Sequence, residues 1–467
     1  MSSLNIRKLF KTFRSQGLLL LLSGSISVPA LAQTPGATVL SIKDAIQFGQ
    51  QNNSNIRVSQ IGEQIGQKQI SEVKGRALPQ VSGNGSFEDR LKIPLLILPT
   101  GLGGTTSGSE GIPLGKQYNT ALTGEVTQML FDPSFNVGLR AAKVSSRLNE
   151  QNTRQVIEQT SYNIASAYYQ AIVVDKQLLL LRSNLINTQR TLQLTELQLQ
   201  NGVAKRVDVS RLRVNASNIE SQIRQAELNL EQALNQLKNQ MGMPLTQPIA
   251  LSDTTLTLEQ DAAALASVPE DVFVNRLEYQ ILQSNLELQT LDQRNIGATG
   301  YPNLRAFGNY GYSGQGDSFG LFKTEGNNWV DYTTASVGVR LSIPVFDGFQ
   351  RRARVQQSNL KARQLEENIN LTKQNINLEI SNALTQYRNT LQRIQAEQQN
   401  VQLAQEVYGV TQLEMREGVG TTTNVVEAET ALRQAQNTYI TTLLNLYTAR
   451  LDLERSKGTL LTYLNSK

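Results

Sequence analysis

The feature that most constrains this chain is an internal duplication, because the motifs of the first half return about 215 residues later. A Leu-Phe-Asp triplet at 130–132 opens one long stretch with a helical pattern, and Val-Phe-Asp at 345–347 opens another. Gly-Val at 202–203 interrupts the first stretch, and Gly-Val at 418–419 interrupts the second. A repeat on this scale determines the architecture. Each half therefore predicts the order helix, strand, strand, long helix, turn, helix.

The first 32 residues have the pattern of a secretory signal peptide. Four basic residues precede an apolar run at 18–22, and Ala-Leu-Ala at 30–32 is a suitable cleavage site. The alternative, a membrane anchor, needs a longer apolar run than this one. Removal of 1–32 takes away four basic and no acidic residues, so the net charge of +5 falls to +1. This small charge gives no support to nucleic-acid binding.

The composition excludes several chemistries, because the chain contains neither Cys nor His. Thiol nucleophiles, disulfides, imidazole bases and most transition-metal sites are therefore absent. Gly115-Lys116 resembles the end of a phosphate-binding loop, but Glu110 and Gln117 stand where that motif needs Gly and Ser or Thr. We predict no enzymatic activity and no cofactor.

Long helices are predicted over 134–201 and 351–417, which contain no proline. At 1.5 Å per residue the first could span about 100 Å, so it is a rod rather than an ordinary core helix. Apolar residues recur at seven-residue intervals in these rods and in the segments after the two glycines, which predicts supercoiled antiparallel pairs. The repeated positions are Ile157, Ile164, Ala171, Leu178, Leu185, Leu192 and Leu199; Val209, Ala216, Ile223, Leu230 and Leu237; Ile380, Tyr387, Ile394, Val401 and Tyr408; and Leu432, Tyr439, Leu446, Leu453 and Leu460. Shorter helices are predicted from Ser41, where Asp44 completes a capping box, to about Gly75, and over 270–298.

Four strand-like runs, at 80–92, 117–131, 304–313 and 333–346, complete the duplicated unit. The last alternates apolar residues from Val337 to Val345 with Ser, Gly, Arg and Pro, as in a membrane strand with lipid on one side and water on the other. A soluble antiparallel sheet with one buried face is the alternative. No segment after residue 32 has 18 consecutive apolar residues, so an exported chain of this kind is predicted to enter a membrane through its strands.

Four strands are too few to close a barrel, since the smallest bacterial barrels have eight. An open edge facing hydrocarbon would leave backbone groups unpaired at several kcal/mol each. Several chains must therefore contribute to one barrel, and three chains would supply twelve strands. The predicted fold class is mainly α with membrane β strands, in which four strands per chain complete a shared trimeric barrel that continues into a helical coiled-coil barrel.

At this point the sequence resembles the TolC-type outer membrane efflux family over essentially its whole length after residue 32. The most specific elements are the strand-to-helix junctions at 130–132 and 344–348, supported by the opening helix at 45–53 and the glycines of the two turns. The resemblance implies a homotrimer in the outer membrane of a Gram-negative bacterium, with a helical tunnel in the periplasm. It also implies a passive exit duct for efflux or type I secretion, engaged at its tip by a periplasmic adaptor and an inner-membrane pump.

With this resemblance the chain divides into eight segments. They are a signal peptide (1–32), a first periplasmic helix (33–79), barrel strands 1 and 2 (80–132) with an outer loop (93–116), a coiled-coil hairpin (133–243), an equatorial connector (244–269), a second-repeat helix (270–300), barrel strands 3 and 4 (301–347) with an outer loop (314–332), and a second coiled-coil hairpin (348–467). The predicted adaptor-docking tips are Gly202, Val203, Gly418, Val419 and Gly420, although these could be no more than turns.

The family closes its tunnel near the tip with acidic residues and polar links, and the corresponding positions here are Asn424 and Glu427, with Asp208 and Arg211 in the first half. Three copies of Glu427 would form an acidic ring that attracts cations. A solvated helix face is the alternative for each position. For the whole chain, the competing interpretation is a secreted coiled-coil structural or adhesive protein without a pore. The transported substrate stays open.

Overall fold

The computed structural model describes residues 38–96, 112–252, 272–323 and 328–466. The predicted signal peptide lies outside this part of the chain, as do residues 97–111 and 324–327 of the two outer loops. Residues 253–271, at the end of the predicted connector and the start of the second-repeat helix, also lie outside it. The helices are α1 (Ile42–Asn52), α2 (Ser54–Gly75), α3 (Pro133–Gln200), α4 (Arg206–Met241), α5 (Leu277–Ala298), α6 (Gln350–Arg416), α7 (Thr422–Ser456) and α8 (Leu460–Asn465). The strands are β1 (Thr38–Leu40), β2 (Gln80–Asp89), β3 (Leu95–Leu96), β4 (Ile112–Pro113), β5 (Tyr118–Phe131), β6 (Ile249–Leu251), β7 (Asn303–Gly316) and β8 (Val330–Ser342).

The predicted helix from Ser41 to Gly75 is two helices. The capping box at its start is confirmed, because Ser41 accepts from the Asp44 N–H at 3.2 Å while the Asp44 carboxylate accepts from the Ser41 N–H at 3.2 Å. Asn53 ends α1 in an extended conformation and caps α2 by accepting from the Asn55 N–H at 2.8 Å. Its amide also donates to the Gln240 carbonyl at 2.7 Å. The break is therefore fixed by a contact with α4 that no local pattern reveals.

The main sheet contains β2, β5, β7 and β8 in that order, and every neighbouring pair is antiparallel. The duplicated strand pairs thus form one sheet instead of two. Strand β8 ends at Ser342, so the predicted strand 333–346 is wrong at its end, where Pro344 has no N–H to donate to a ladder. Inside the predicted outer loop 93–116, β3 pairs with β4.

The two faces of this sheet differ in chemistry because alternate side chains point to opposite sides. Cross-strand partners Val81 and Val126 lie on the same face as Leu122, Val337 and Val339. The other face carries mostly polar side chains, namely Ser82, Asn84, Ser86, Thr123, Glu125, Asn309, Ser313, Thr334, Ser336 and Arg340. The apolar face is exposed in the single chain, where Val337 is 88% accessible.

The two predicted rods are present as α3, with 68 residues, and α6, with 67. Helix α3 begins with Pro133, and Asp132 caps it by accepting from the Ser134 N–H at 3.0 Å. The equivalent start of α6 differs: Gly348 and Phe349 both have positive φ, of 62° and 65°. The duplicated motif therefore marks the same place in both halves without the same local geometry.

The heptad prediction is confirmed, because none of the repeated apolar positions is exposed. Leu178 and Leu181 of α3 pack with Ala226 of α4. In the second hairpin, α6 and α7 share two clusters, one of which contains Tyr387, Ile394, Leu443, Leu446, Ala449 and Leu453, and the other Tyr408, Met415, Val425, Ala428 and Leu432. Both hairpins are therefore antiparallel coiled coils.

Another core lies where β1, β6, α1 and α8 meet the rods. Strand β1 pairs in parallel with β6, and the buried Tyr168 hydroxyl of α3 donates to the Leu40 carbonyl at 3.0 Å. The cluster also includes Ile46 of α1, Leu237 of α4 and Leu460 of α8. The segments predicted as a single helix (33–79) and a connector (244–269) thus share a small sheet. Among the described helices, none is both long and apolar enough for a membrane span.

Candidate functional site at the helical tips

The two turns that end the rods have the same backbone geometry. In the first, the Gly202 N–H donates to the Leu199 carbonyl at 3.0 Å and the Val203 N–H to the Gln198 carbonyl at 2.8 Å. In the second, the Gly418 N–H donates to Met415 at 3.2 Å and the Val419 N–H to Glu414 at 3.0 Å. Each is a Schellman-type helix end, in which the residue after the cap adopts positive φ.

Glycine is required at both turns by backbone conformation rather than by space. Gly202 has φ of +78° and Gly418 of +81°, a region that other residues enter at a cost of about 1–2 kcal/mol. A Cβ at either position would meet no described atom within 4 Å, whereas one at Gly420 would lie 2.8 Å from the Met415 backbone nitrogen. The next residues, Val203 and Val419, are 71% and 81% exposed. Each hairpin therefore ends in one small, exposed apolar side chain, which we call its knob: Val203 in the first hairpin and Val419 in the second.

The helices that leave the two turns are capped in different ways. Asp208 accepts from the Lys205 N–H at 3.4 Å at the start of α4. At the start of α7, the Thr421 hydroxyl accepts from the Asn424 N–H at 3.2 Å. Asp208 is thus held at its own helix terminus, while Asn424 takes part through its backbone and keeps an exposed side chain.

The four predicted aperture residues do not form one cluster. Arg211 lies 3.8 Å from Asp208 and donates to the Thr423 hydroxyl, so it connects α4 with α7 next to Asn424. Glu427 is exposed and forms no hydrogen bond or ion pair with any residue that the structure describes. The polar link of Arg211 is therefore present inside one chain, while the Glu427 carboxylate is free. Their role in an aperture stays a prediction.

The sequence analysis missed Glu429, which is only 2% exposed and lies one turn from the buried Val425 on α7. Its carboxylate accepts from the Asn215 amide of α4 at 2.8 Å and from the Thr188 hydroxyl of α3. Burial raises the pKa of Glu429, and the two hydrogen bonds together with the nearby Arg433 act in the opposite direction. A carboxylate thus joins both hairpins in their shared interior.

The same interior extends to α6 and further along α7. The Tyr408 hydroxyl of α6 accepts from Gln412 at 2.6 Å, and burial raises the pKa of Tyr408 to about 12. The Asn184 amide of α3 donates to Gln436 of α7 at 3.1 Å. The sequence pattern does not predict that Glu429 and Asn184 are buried, because Glu and Asn are ordinary residues on the outer faces of a coiled coil. Their burial depends on the second hairpin.

This arrangement offers polar links and exposed knobs rather than a reaction centre. In the part of the chain that the structure describes, no three His, Cys, Asp or Glu side chains come close enough to bind a metal ion. The tips therefore carry a polar contact between α4 and α7 and an exposed apolar surface.

The family model described as outer membrane efflux protein matches residues 45–243 and 289–459, in two segments that follow the duplication and together cover well over half of the chain. No curated protein sequence matches significantly. Among solved structures, the CmeC outer membrane channel of Campylobacter jejuni matches with a TM-score of 0.70 at 14% identity, over 96% of this chain and 94% of that one. The outer membrane protein VceC of Vibrio cholerae matches with a TM-score of 0.67 at 17% identity, over 89% and 96%.

The open state of the MtrE outer membrane channel of Neisseria gonorrhoeae matches with a TM-score of 0.66 at 16% identity, over 90% of this chain and 89% of that one. These identities are low, so the structural matches establish a shared fold. The predicted resemblance and the duplicated, mainly α fold class are confirmed.

Proposed function

Because this chain belongs to the outer membrane efflux protein family, we propose that three copies form a channel-tunnel that serves as the passive exit duct of a tripartite efflux or type I secretion system. The strands form a shared twelve-stranded barrel in the outer membrane, and the helices continue it into the periplasm. At the tips the trimer binds a periplasmic adaptor and an inner-membrane pump. The duct itself carries out no chemical reaction.

The observation that carries this proposal is the open main sheet. Within the described residues, β2 and β8 each have a strand on one side only. They run in opposite directions, because three antiparallel pairings separate them. Strand β8 of one copy can therefore continue antiparallel onto β2 of the next. Three copies would close the sheet and satisfy the edge groups, each of which costs several kcal/mol when unpaired in hydrocarbon.

The chemistry of the two faces supports the same assembly. The face with Val81, Val126, Val337 and Val339 suits contact with lipid, whereas the face with Glu125 and Arg340 needs water. A closed barrel separates these environments by placing the polar face inside.

The exposed knobs at the tips support adaptor docking. Val203 and Val419 lie at the ends of rods that extend about 100 Å from the sheet, at 1.5 Å per residue. An apolar contact at each of six turns per trimer offers a repeated surface to the hairpin tip of a partner. The Arg211 link and the free Glu427 carboxylate lie within the first turns of α4 and α7, where a docked partner could alter the opening.

Disulfide cross-linking tests the closed barrel directly, because the chain has no native cysteine. Cysteines replace Ser82, Asn84 or Ser86 on β2 in combination with Thr334 or Ser336 on β8, all on the polar face. We expect at least one pair to give covalent dimers and trimers that disappear on reduction. Purified trimers should conduct ions in planar bilayers.

The matched control combines Ser82→Cys on β2 with Asn309→Cys on β7, which are separated by β5 in one chain. This pair should remain uncross-linked. A detergent-solubilised protein that stays monomeric, gives no ladder with any pair and carries no current would contradict the proposal and favour a coiled-coil protein without a pore.

A further inference from the structure

Two arginines lie side by side on neighbouring strands of the main sheet. Arg305, near the start of β7, is the direct cross-strand partner of Arg340, near the end of β8. Both lie at the end of the sheet that joins the helices, on the polar face. Side chains in such pairs have Cβ atoms about 5 Å apart, and like charges in this position destabilise a sheet.

Neither arginine contacts a carboxylate in the described part of the chain. Arg305 and Arg340 are exposed, and neither forms an ion pair with any described residue. The only acidic position on this face of β5 is Glu125, whose cross-strand partner Asn309 is four residues beyond Arg305, and Asp132, just after β5, lines the same cleft as Arg305 without forming an ion pair with it. A surface position that needed only polarity could carry Gln or Thr without repulsion, so the stability of the sheet alone does not account for the pair.

An aromatic ring holds one of the two guanidinium groups in place. The Arg340 guanidinium carbon lies 5.1 Å from the centre of the Phe307 ring, within cation–π distance. Phe307 itself covers Gly338, where an added Cβ would lie 2.9 Å from the ring. Stacking on a ring uses the flat face of the guanidinium and leaves its N–H groups free around the edge, and these groups bind carboxylate and phosphate oxygens in pairs.

We propose that Arg305 and Arg340 form an anion-binding collar at the inner end of the barrel, which selects solutes carrying phosphate, sulfate or carboxylate groups. This inference rests on the proposed trimeric duct, because closure of the sheet places the polar face around the lumen. Three copies would bring six guanidinium groups to one level of the pore. The collar assigns a substrate class to the duct, and it lies at the opposite end of the helical barrel from the Glu427 carboxylates.

Reversal potentials in a KCl gradient across planar bilayers test the collar. The double variant Arg305→Gln, Arg340→Gln should lower the chloride-to-potassium permeability ratio. A local potential of about one kT corresponds to a roughly threefold change in anion concentration, which sets the size of the expected shift. Inorganic pyrophosphate should reduce the current of the wild-type channel and have a much weaker effect on the variant.

The charge-preserving variant Arg305→Lys, Arg340→Lys is the matched control and should keep the wild-type permeability ratio. The Gln variant should also melt at the same or a higher temperature than the wild type, since a repulsive pair is removed. A wild-type protein without conductance would refute the duct itself. A conducting wild type whose reversal potential and pyrophosphate response are unchanged in the Gln variant would refute the collar alone.

Discussion

The two helical tips have the same backbone geometry, but the surroundings of their side chains differ. Both turns place a glycine at positive φ and close on the same carbonyl positions. In the first tip two charged residues form hydrogen bonds: Asp208 caps α4, and Arg211 donates to the Thr423 hydroxyl. In the second, Glu427 is exposed and unpaired among the described residues. The duplication has thus kept the turn and let the polar partners diverge.

The difference shows which features a repeated sequence conserves. A turn depends on the conformation of a few consecutive residues, so both copies are subject to the same local rule. A hydrogen-bond partner depends on what lies opposite, and the two hairpins lie opposite different neighbours. We therefore expect equal effects from changes to the turns and unequal effects from changes to the side chains.

The largest effect is expected from a bulky charge at either turn. Gly202→Glu and Gly418→Glu should each abolish adaptor-dependent efflux, because the new charge lies beside the exposed knob. Trimers should persist, because the change is far from the sheet. Efflux of a tracer from cells and native gels of the membrane fraction measure the two properties. Gly202→Ala and Gly418→Ala are the matched controls: they impose a similar backbone strain without bulk or charge and should retain efflux. Normal efflux in the Glu variants would exclude docking at the tips.

The next largest effect is expected at Glu429, where both hairpins meet. Glu429→Ala leaves the buried Asn215 amide without its acceptor, at about 1–3 kcal/mol, while the Thr188 hydroxyl keeps the Asn184 carbonyl at 2.9 Å. Hydrogen exchange should become faster at this level of α3, α4 and α7 while it stays unchanged near Tyr168. Equal exchange in the variant and the wild type would show that the buried layer does not hold the hairpins together.

Glu429 also gives the tip a pH dependence whose sign follows from its raised pKa. A carboxyl group with a higher pKa in the folded state stabilises that state fully below the ordinary glutamate pKa of about 4.3, and this contribution is lost as the pH rises through the raised value. Local exchange should therefore slow on acidification in the wild type, and Glu429→Gln should remove that part of the change. An identical pH response in the Gln variant would assign it to other groups.

A smaller effect is expected from the free carboxylate. Glu427→Ala should reduce cation selectivity and block by multivalent cations in planar bilayers, since three exposed charges leave the opening. The change should shrink at high salt, because the screening length is about 8 Å at physiological ionic strength. Asp208→Ala is the comparison from the other tip and should alter selectivity less, because its charge lies beside Arg211. Unchanged conductance and block in Glu427→Ala would remove this residue from the aperture.

The smallest effect is expected from the exposed link between the hairpins. Arg211→Ala and Thr423→Val each remove the same hydrogen bond, and an exposed polar contact of this kind contributes less than about 1 kcal/mol. Thr423→Val should raise the open probability of single channels slightly, and Arg211→Ala at least as much, because Arg211 also lies 3.8 Å from Asp208. An unchanged open probability in Thr423→Val would show that this hydrogen bond does not hold the aperture closed.

Several parts of the fold followed from sequence because they depend on neighbours along the chain. The capping box at Ser41, the heptad positions from Ile157 to Leu460 and the glycines of both turns were predicted and are present. The break at Asn53 was not predicted, because it depends on the Gln240 carbonyl 187 residues away. The end of β8 was placed too late, although Pro344 offered a local signal.

The candidate site divides in the same way. The tip glycines came from the repeated pattern of the chain, and the positions of Asp208, Arg211, Asn424 and Glu427 came from the family resemblance, whereas the partners of these residues came from neither. Glu429 escaped notice because it is not one of the apolar heptad residues and its hydrogen-bond partners lie on α3 and α4. Arg305 and Arg340 stand 35 residues apart and become a pair only through the register of β7 and β8.

The sequence by itself determined the duplication, the long coiled-coil rods and the reversal at each glycine. These follow from periodicity and backbone conformation, which act over a few residues. The tertiary structure alone decided that the strand pairs join into one sheet, that a carboxylate is buried between the hairpins, and that two arginines lie side by side. Such contacts depend on which distant segments meet, because the energy of a charge or a polar group is determined by what surrounds it.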